Sequence, residues 1–271
     1  PGHAELTFMK RYGQYNDWVG AGRASGRETV SRVAGGAVAK LILDKYGIDV
    51  IAYTVESHGI KAAPVDYEMA KKNYRKNNIN CPDLEAAEQM ERDILAVRKT
   101  GETCGGVIEM IIRGLPAGLG EPVFDKLEAT LAHAMMSIGA IKGIEFGAGF
   151  RVAEMVGSEC NDEMYWDKET GRVKFYTNHA GGFLGGISNG DEVRIRMAVK
   201  PTPTVDVVQR TVDTDNGTDV NLSPITRRDA SLLPRIYPVC EAMARITIVD
   251  AMMIFNGYRS MEDLDKKYDL M

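Results

Sequence analysis

The pattern of apolar and polar positions predicts a long helix over residues 26–46. Ser25 and Glu28 have the spacing of a capping box at its start, and Gly47 follows its end. One apolar stripe recurs at helical spacing along this segment and consists of Val30, Val33, Ala34, Ala37, Val38, Leu41 and Ile42. The segment therefore has the pattern of an amphipathic helix.

Alternating apolar positions predict a strand at 192–200, where Val193, Ile195, Met197 and Val199 alternate with mostly charged residues. Further predicted strands and helices follow the same logic: strands at 48–55 and 107–113, and helices at 83–99, 122–138 and 234–255. In the helix 83–99 the side chains expected to point inward are Leu84, Ala87, Ile94 and Val97.

Several predicted strands are amphipathic, and they alternate irregularly with helices. This pattern favours an α+β fold with mixed or antiparallel sheets over a doubly wound parallel sheet. No low-complexity stretch divides the chain, so we expect a single domain over 1–271. Residues 57–82, rich in Lys and Asn, are expected to form an exposed loop.

Composition narrows the range of partners. The 271 residues carry a formal net charge of −5, which argues against a protein that binds nucleic acid through its phosphates. No run of 18 apolar residues occurs, so we expect no transmembrane helix and no membrane partner. The four cysteines and four histidines lack the close spacing of metal ligands, so we expect no metal site and reduced thiols in a cytoplasmic protein.

Glycine clusters at 20–22, 114–120 and 181–190 are either ordinary turns or places where the backbone approaches a ligand. Two arginines, Arg23 and Arg27, flank the start of the helix 26–46, where a bound anion would satisfy free backbone N–H groups. The alternative is a solvated Arg27 and a capping Ser25.

Two further basic segments are Arg227–Asp229 and Lys200–Thr204. The first is either part of a site or a surface ion pair, and the second, by itself, is only a turn. Taken together with the glycine clusters and the two arginines, they indicate a small anionic ligand.

The ordered motifs resemble the chorismate synthase family from Pro1 to the last helix. The segments that carry the resemblance are Pro1–Ala4, Gly22–Thr29, Gly118–Asp125, Thr177–Gly190, Lys200–Thr202, Arg227–Asp229 and Pro234–Arg235. The resemblance implies an α+β fold like the β-α-β sandwich of that family. It also implies a lyase of the shikimate pathway, used in aromatic amino acid biosynthesis, that converts 5-enolpyruvylshikimate 3-phosphate to chorismate and phosphate by trans elimination. The implied cofactor is reduced FMN, and the implied assembly is a homotetramer; whether the protein reduces its flavin with NADPH stays open.

The resemblance also assigns residues to roles. His3 corresponds to a proton donor near the flavin, and Asp229 to an acid close to its reactive nitrogen. Arg27 corresponds to a substrate-binding residue. The implied flavin contacts are Arg23, Ala24, Ser25, Gly139, Ala140, Gly185, Lys200, Pro201, Thr202, Pro203, Thr204 and Arg227.

The sequence departs from the family at identifiable positions. Ala24 stands where the family usually has Ser, and Arg228 where it usually has His. The family carries a long segment ahead of Pro-Gly-His, with a second catalytic histidine, and we expect this chain to lack it. Residues Glu56–Gly59 copy part of that segment's motif but follow a predicted strand in mid-chain, so we interpret them as a coincidence. Two alternatives stay open: a flavin- or phosphate-binding fragment without catalysis, and a flavin oxidoreductase.

Overall fold

The structure is a computed structural model that describes residues 1–223, 229–255, 257 and 261–262. Seven α-helices lie in this part of the chain: α1 Glu5–Tyr12, α2 Thr29–Lys45, α3 Tyr67–Asn73, α4 Leu84–Lys99, α5 Leu127–Met136, α6 Gly157–Cys160 and α7 Leu233–Phe255. The strands described are β1 Asp49–Ser57, β2 Ile60–Lys61, β3 Gly106–Arg113, β4 Ile141–Phe146, β5 Met164–Asp167, β6 Arg172–Phe175, β7 Phe183–Leu184, β8 Ile187–Ser188, β9 Val193–Val199, β10 Gln209–Asp213 and β11 Thr218–Leu222.

The largest sheet has five strands in the order β2-β1-β3-β9-β4. Three further sheets are two-stranded antiparallel hairpins that pair β5 with β6, β7 with β8 and β10 with β11. Strand β9 buries alternate residues from Val193 to Val199, as its sequence pattern predicts. The predicted α+β class with antiparallel pairing is confirmed.

The seven predicted elements outside 57–82 are all present, with one markedly shortened at its start. The predicted helix 122–138 begins only at Leu127. Ahead of it the backbone N–H of Glu121 donates to the carbonyl of Asp125 at 3.1 Å, and that of Leu127 donates to Gly186 at 2.8 Å. These bonds close a loop that holds residues 121–125 out of the helix.

The prediction of an exposed loop at 57–82 is wrong. Helix α3 lies within it, and Asp66 caps this helix by accepting a hydrogen bond from the backbone N–H of Met69 at 2.8 Å. Tyr67 and Tyr74 are buried, and Ile79 joins a core cluster at the start of α4. The lysines of this segment are exposed, whereas Asn80 is buried. The composition rich in Lys and Asn therefore concealed a helix with a buried side.

Helix α2 forms where predicted but buries other positions than its apolar stripe. Leu41 is 73% exposed and Val38 is 62% exposed, whereas Gly36, Ala39 and Leu43 are buried. A Cβ on Gly36 would lie 2.3 Å from the Cβ of Ala242 in α7, so this face requires the smallest side chain. A hydrophobicity pattern does not register this preference for close backbone approach. Leu84 on α4 is also exposed, although its sequence position predicted that it points inward.

The chain divides into two compact units, and the expectation of a single domain over 1–271 stays a prediction. The first comprises residues 1–30, 53–108 and 198–236, and the second comprises 31–52, 109–197 and 237–271. In the described part of the chain, no helix is both long and apolar enough to cross a membrane.

Candidate active site

In the first unit the amino-terminal residues lie against the segment Lys200–Thr204. The Nζ atom of Lys200 donates a hydrogen bond to the carbonyl of Gly2 at 2.8 Å. Gly2 has a φ of +73°, and a Cβ there would lie 3.2 Å from the Cβ of Pro203. His3 is therefore held beside the Lys200–Thr204 loop, which brings two of the sequence-predicted motifs together.

The His3 imidazole is exposed and accepts a weak hydrogen bond at Nδ1 from the backbone N–H of Glu5, at 3.3 Å. A neutral ring that accepts at Nδ1 carries its proton on Nε2. The Nε2 N–H of this tautomer is thus the ring's hydrogen-bond donor to a bound molecule.

The loop Lys200–Thr204 contains a polar atom that the protein itself does not satisfy. Pro201 and Pro203 lack an N–H, and the carbonyl of Thr202 accepts from the hydroxyl of Thr103 at 2.7 Å. The hydroxyl oxygen of Thr202 is buried, with no hydrogen-bond partner among the residues that the structure describes. A buried hydroxyl without a partner costs about 1–3 kcal/mol, so a polar ligand at this loop would remove a penalty.

The two arginines predicted to bind an anion lie around a tight turn. Ser25 caps the turn that leads into α2 by accepting from the backbone N–H of Arg27 at 3.4 Å, and from its Nε at 3.0 Å. A Cβ on Gly20 would lie 3.2 Å from the Arg27 guanidinium, which packs on that bare backbone. Arg23 is exposed and Ala24 partly buried. Arg27 is therefore oriented by Ser25 with its two terminal nitrogens left for other partners.

Asp229 forms an ion pair with Arg235, Oδ2 to Nη1 at 3.1 Å, next to the start of α7. Its neighbour Arg227, and Arg228 with it, lie outside the described residues. The sequence motif Pro234–Arg235 thus supplies the cation that balances the proposed acid.

The other predicted contact positions belong to the second unit. Gly139 and Gly185 face open space, since no described atom lies within 4 Å of a Cβ built at either position. Ala140 has a φ of +76°, a left-handed conformation that costs about 1–2 kcal/mol for a residue with a side chain. Such conformations cluster at functional sites, but the contact of these residues with a flavin stays a prediction.

The segment Glu56–Gly59 has a structural explanation. His58 and Gly59 form the two-residue turn between β1 and β2, both with positive φ as a hairpin turn requires. The Nδ1 atom of His58 lies 2.9 Å from Asp93 Oδ2. The hairpin turn and the pair with Asp93 account for these residues without a catalytic role. We therefore keep the interpretation that their likeness to a catalytic tetrapeptide is a coincidence.

Sequence reasoning missed the segment Gly101–Gly105, which borders the Lys200–Thr204 loop. Cys104, within this segment, is no nucleophile candidate, because burial raises the pKa of its thiol. The signal that points to the segment is its glycines: a Cβ on Gly105 would lie 2.2 Å from the carbonyl oxygen of Val199.

Comparison with known proteins decides the family. A sequence profile described as "Chorismate synthase" matches residues 1–253. The chain belongs to the chorismate synthase family. The chorismate synthase of Acetivibrio thermocellus is 60% identical over 271 residues, covering 99% of this chain and 69% of that protein. The chorismate synthase of Methanosarcina acetivorans is 47% identical over 253 residues, covering 93% of this chain and 68% of that protein.

The fold of this chain also matches that of a solved structure. The crystal structure of a chorismate synthase superposes with a TM-score of 0.81 at 30% identity, covering 98% of this chain and 75% of that one. The chorismate synthase match includes the loop Lys200–Thr204, the Pro1–Ala4 motif and Asp229, so all three parts of the site described in the first unit lie within it.

Proposed function

We propose that this protein converts 5-enolpyruvylshikimate 3-phosphate to chorismate and phosphate by trans elimination, in the shikimate pathway. The observation that carries the proposal is the hydrogen bond from Lys200 to Gly2, because it joins two family motifs that are distant in sequence into one site. The names of the relatives support the reaction type, that of a carbon–oxygen lyase acting on a phosphate.

The residues present fit a reduced FMN cofactor. The unsatisfied Thr202 hydroxyl is a group that a polar cofactor would pair. Arg23, Ala24 and Ser25, together with the Lys200–Thr204 loop, would hold the flavin, and Arg227 belongs to the same proposed set. Reduced FMN supplies transient electron donation that helps phosphate leave, with no net oxidation of the substrate.

The chain's own residues supply binding and proton handling. Arg27, fixed at Nε by Ser25, presents its terminal nitrogens to an anionic group of the substrate. His3 is the residue that we assign to proton donation beside the flavin, a step that an imidazolium would perform by becoming the neutral ring. We assign the Asp229 carboxylate to the reacting centre, and Arg235, paired with it at 3.1 Å, would balance its charge.

An anaerobic assay with reduced FMN and 5-enolpyruvylshikimate 3-phosphate tests the proposal. We expect chorismate, followed by its ultraviolet absorbance, and one phosphate released for each chorismate formed. Flavin binding without either product would support the non-catalytic alternative and overturn the proposed reaction. Consumption of a pyridine nucleotide in a one-to-one ratio with product would instead identify a flavin oxidoreductase.

The resemblance further supports a homotetramer in the cytoplasm. Sedimentation analysis tests the assembly, since the chain has a mass of 29.8 kDa and a tetramer sediments with four times that mass. Whether NADPH reduces the flavin on the protein is tested by adding NADPH and oxidised FMN in place of reduced FMN.

A further inference from the structure

The segment Gly101–Gly105 contacts both ends of the Lys200–Asp206 stretch. The backbone N–H of Asp206 donates to the carbonyl of Gly101 at 2.7 Å, and the Thr103 hydroxyl donates to the carbonyl of Thr202 at 2.7 Å. Gly105 lies against the carbonyl of Val199, where a side chain would collide. The loop is thus laid along this segment over its whole length.

The same segment contacts the residue that follows the proposed acid. The backbone N–H of Cys104 donates to the carbonyl of Ala230 at 2.9 Å, one residue beyond Asp229. Thr103 and Cys104 are adjacent. Two neighbouring residues therefore hold the Lys200–Thr204 loop and the residue after Asp229 at a fixed separation.

The two prolines limit the hydrogen bonds that the Lys200–Thr204 loop can donate. Pro201 and Pro203 cannot donate hydrogen bonds, so Thr202 stands between two residues that contribute nothing from their nitrogens. Its carbonyl is fixed by a side chain, that of Thr103. The unsatisfied Thr202 hydroxyl belongs to the same residue whose carbonyl is fixed in this way.

We propose that Thr103 is a positioning residue for the flavin-binding loop. It does not touch the cofactor; it fixes Thr202 through the carbonyl, so that the Thr202 hydroxyl is oriented toward the flavin before binding. This inference rests on the proposed function, because it names the residue that preorganises the proposed cofactor site.

The test compares Thr103→Val, which keeps the shape and removes the donor, with Thr103→Ser, which keeps the donor. Thr100→Val is the matched control, because the Thr100 hydroxyl also donates to a backbone carbonyl, that of Val97 at 2.8 Å, but not to the loop. The measurements are the dissociation constant of FMN by flavin fluorescence, the visible spectrum of the bound flavin, and hydrogen exchange of peptides covering residues 199–208.

We expect Thr103→Val to raise the FMN dissociation constant about 3- to 10-fold, the effect of losing one hydrogen bond. We also expect faster exchange in residues 199–208 and a shifted flavin spectrum. Thr103→Ser and Thr100→Val are expected to stay within about twofold of the parent.

Two results overturn the inference while the proposed function stands: a parent and a Thr103→Val variant that bind FMN equally well, or a variant that is less stable but has an unchanged FMN dissociation constant and spectrum. A parent that binds no FMN overturns the proposed function, and the inference with it.

Discussion

The side-chain nitrogen of Lys200 donates a hydrogen bond to the carbonyl of Gly2, 198 positions earlier in the chain, at 2.8 Å. Gly2 is next to His3, and Lys200 begins the loop proposed to hold the flavin. One ammonium group therefore connects the proposed proton donor to the proposed cofactor site.

Replacing Lys200 by Met removes this connection while keeping the length of the side chain. Because hydrogen bonds to charged groups contribute about 1.5–3 kcal/mol, we expect turnover and FMN affinity together to fall by about 10- to 100-fold. Steady-state kinetics and flavin titration measure the two quantities. If both stay within twofold of the parent, the connection has no role in the site.

Replacing His3 by Ala separates proton donation from cofactor binding. We expect turnover to fall by about 10²- to 10⁴-fold, the range for loss of a general acid, while the FMN dissociation constant changes little. Glu5→Gln is the control, since its backbone N–H still contacts His3 and its side chain has no assigned role. Unchanged turnover in His3→Ala would remove this histidine from the mechanism.

Asp83 gives the fold a dependence on acid pH. Its carboxylate accepts from the backbone N–H of Ala63 at 2.9 Å and, as the cap of α4, from Glu85 and Ala86 at 3.1 Å. These hydrogen bonds, with that of Ala63 the largest cause, hold the pKa of Asp83 below its ordinary value. The stabilisation is therefore present above the unfolded-state pKa and is lost as the pH falls through the lower folded-state value.

We expect Asp83→Ala to lower the free energy of unfolding by about 1 kcal/mol at pH 7, and this difference to shrink below about pH 4. Denaturant titrations of parent and variant across that pH range measure it. Asp44→Ala is the control, because Asp44 pairs only with Lys40 on the exposed face of α2 in the contacts described, at 2.6 Å, a pair worth about 0.3–0.5 kcal/mol. A difference for Asp83→Ala that is constant with pH would contradict the assignment.

The four cysteines are expected to react at different rates. Burial raises the pKa of Cys81 to about 11 and that of Cys240 to about 12, whereas Cys160 is partly exposed. Since the thiolate is the reactive form, alkylation at pH 8 is expected to label Cys160 first and the buried thiols only on unfolding. Mass spectrometry of the labelled protein follows the sites. Labelling of Cys240 as fast as Cys160 would show that α7 opens readily.

The elements that the sequence predicts correctly are those with a strong period. Strand β9 buries every second side chain, and α5 buries Leu127, Leu131 and Met135 as its pattern requires. The family motifs likewise include two segments, Pro1–Ala4 and Lys200–Thr204, that the structure brings together. Both kinds of signal lie within short stretches of residues.

What the sequence could not predict depends on contacts between distant segments. The buried face of α2 follows from the approach of Gly36 to Ala242, which no pattern within the helix encodes. Helix α3 was missed because its two buried residues, Tyr67 and Ala70, stand among charged ones. Thr103 has an ordinary local sequence, and only its distance to Thr202 shows its place in the site.

The segment Gly101–Gly105 contacts the Lys200–Asp206 stretch through the backbone carbonyl of Gly101 and the side-chain hydroxyl of Thr103, while the backbone N–H of Cys104 donates to Ala230. These bonds determine which changes the segment tolerates. A substitution of the Glu102 side chain would leave these hydrogen bonds in place. One inserted residue, by contrast, would shift Thr103 away from Thr202 and Cys104 away from Ala230 at the same time. Selection at this connection therefore acts on its number of residues as well as on the identity of Gly101, Thr103 and Gly105, and relatives should keep its length even where Glu102 differs.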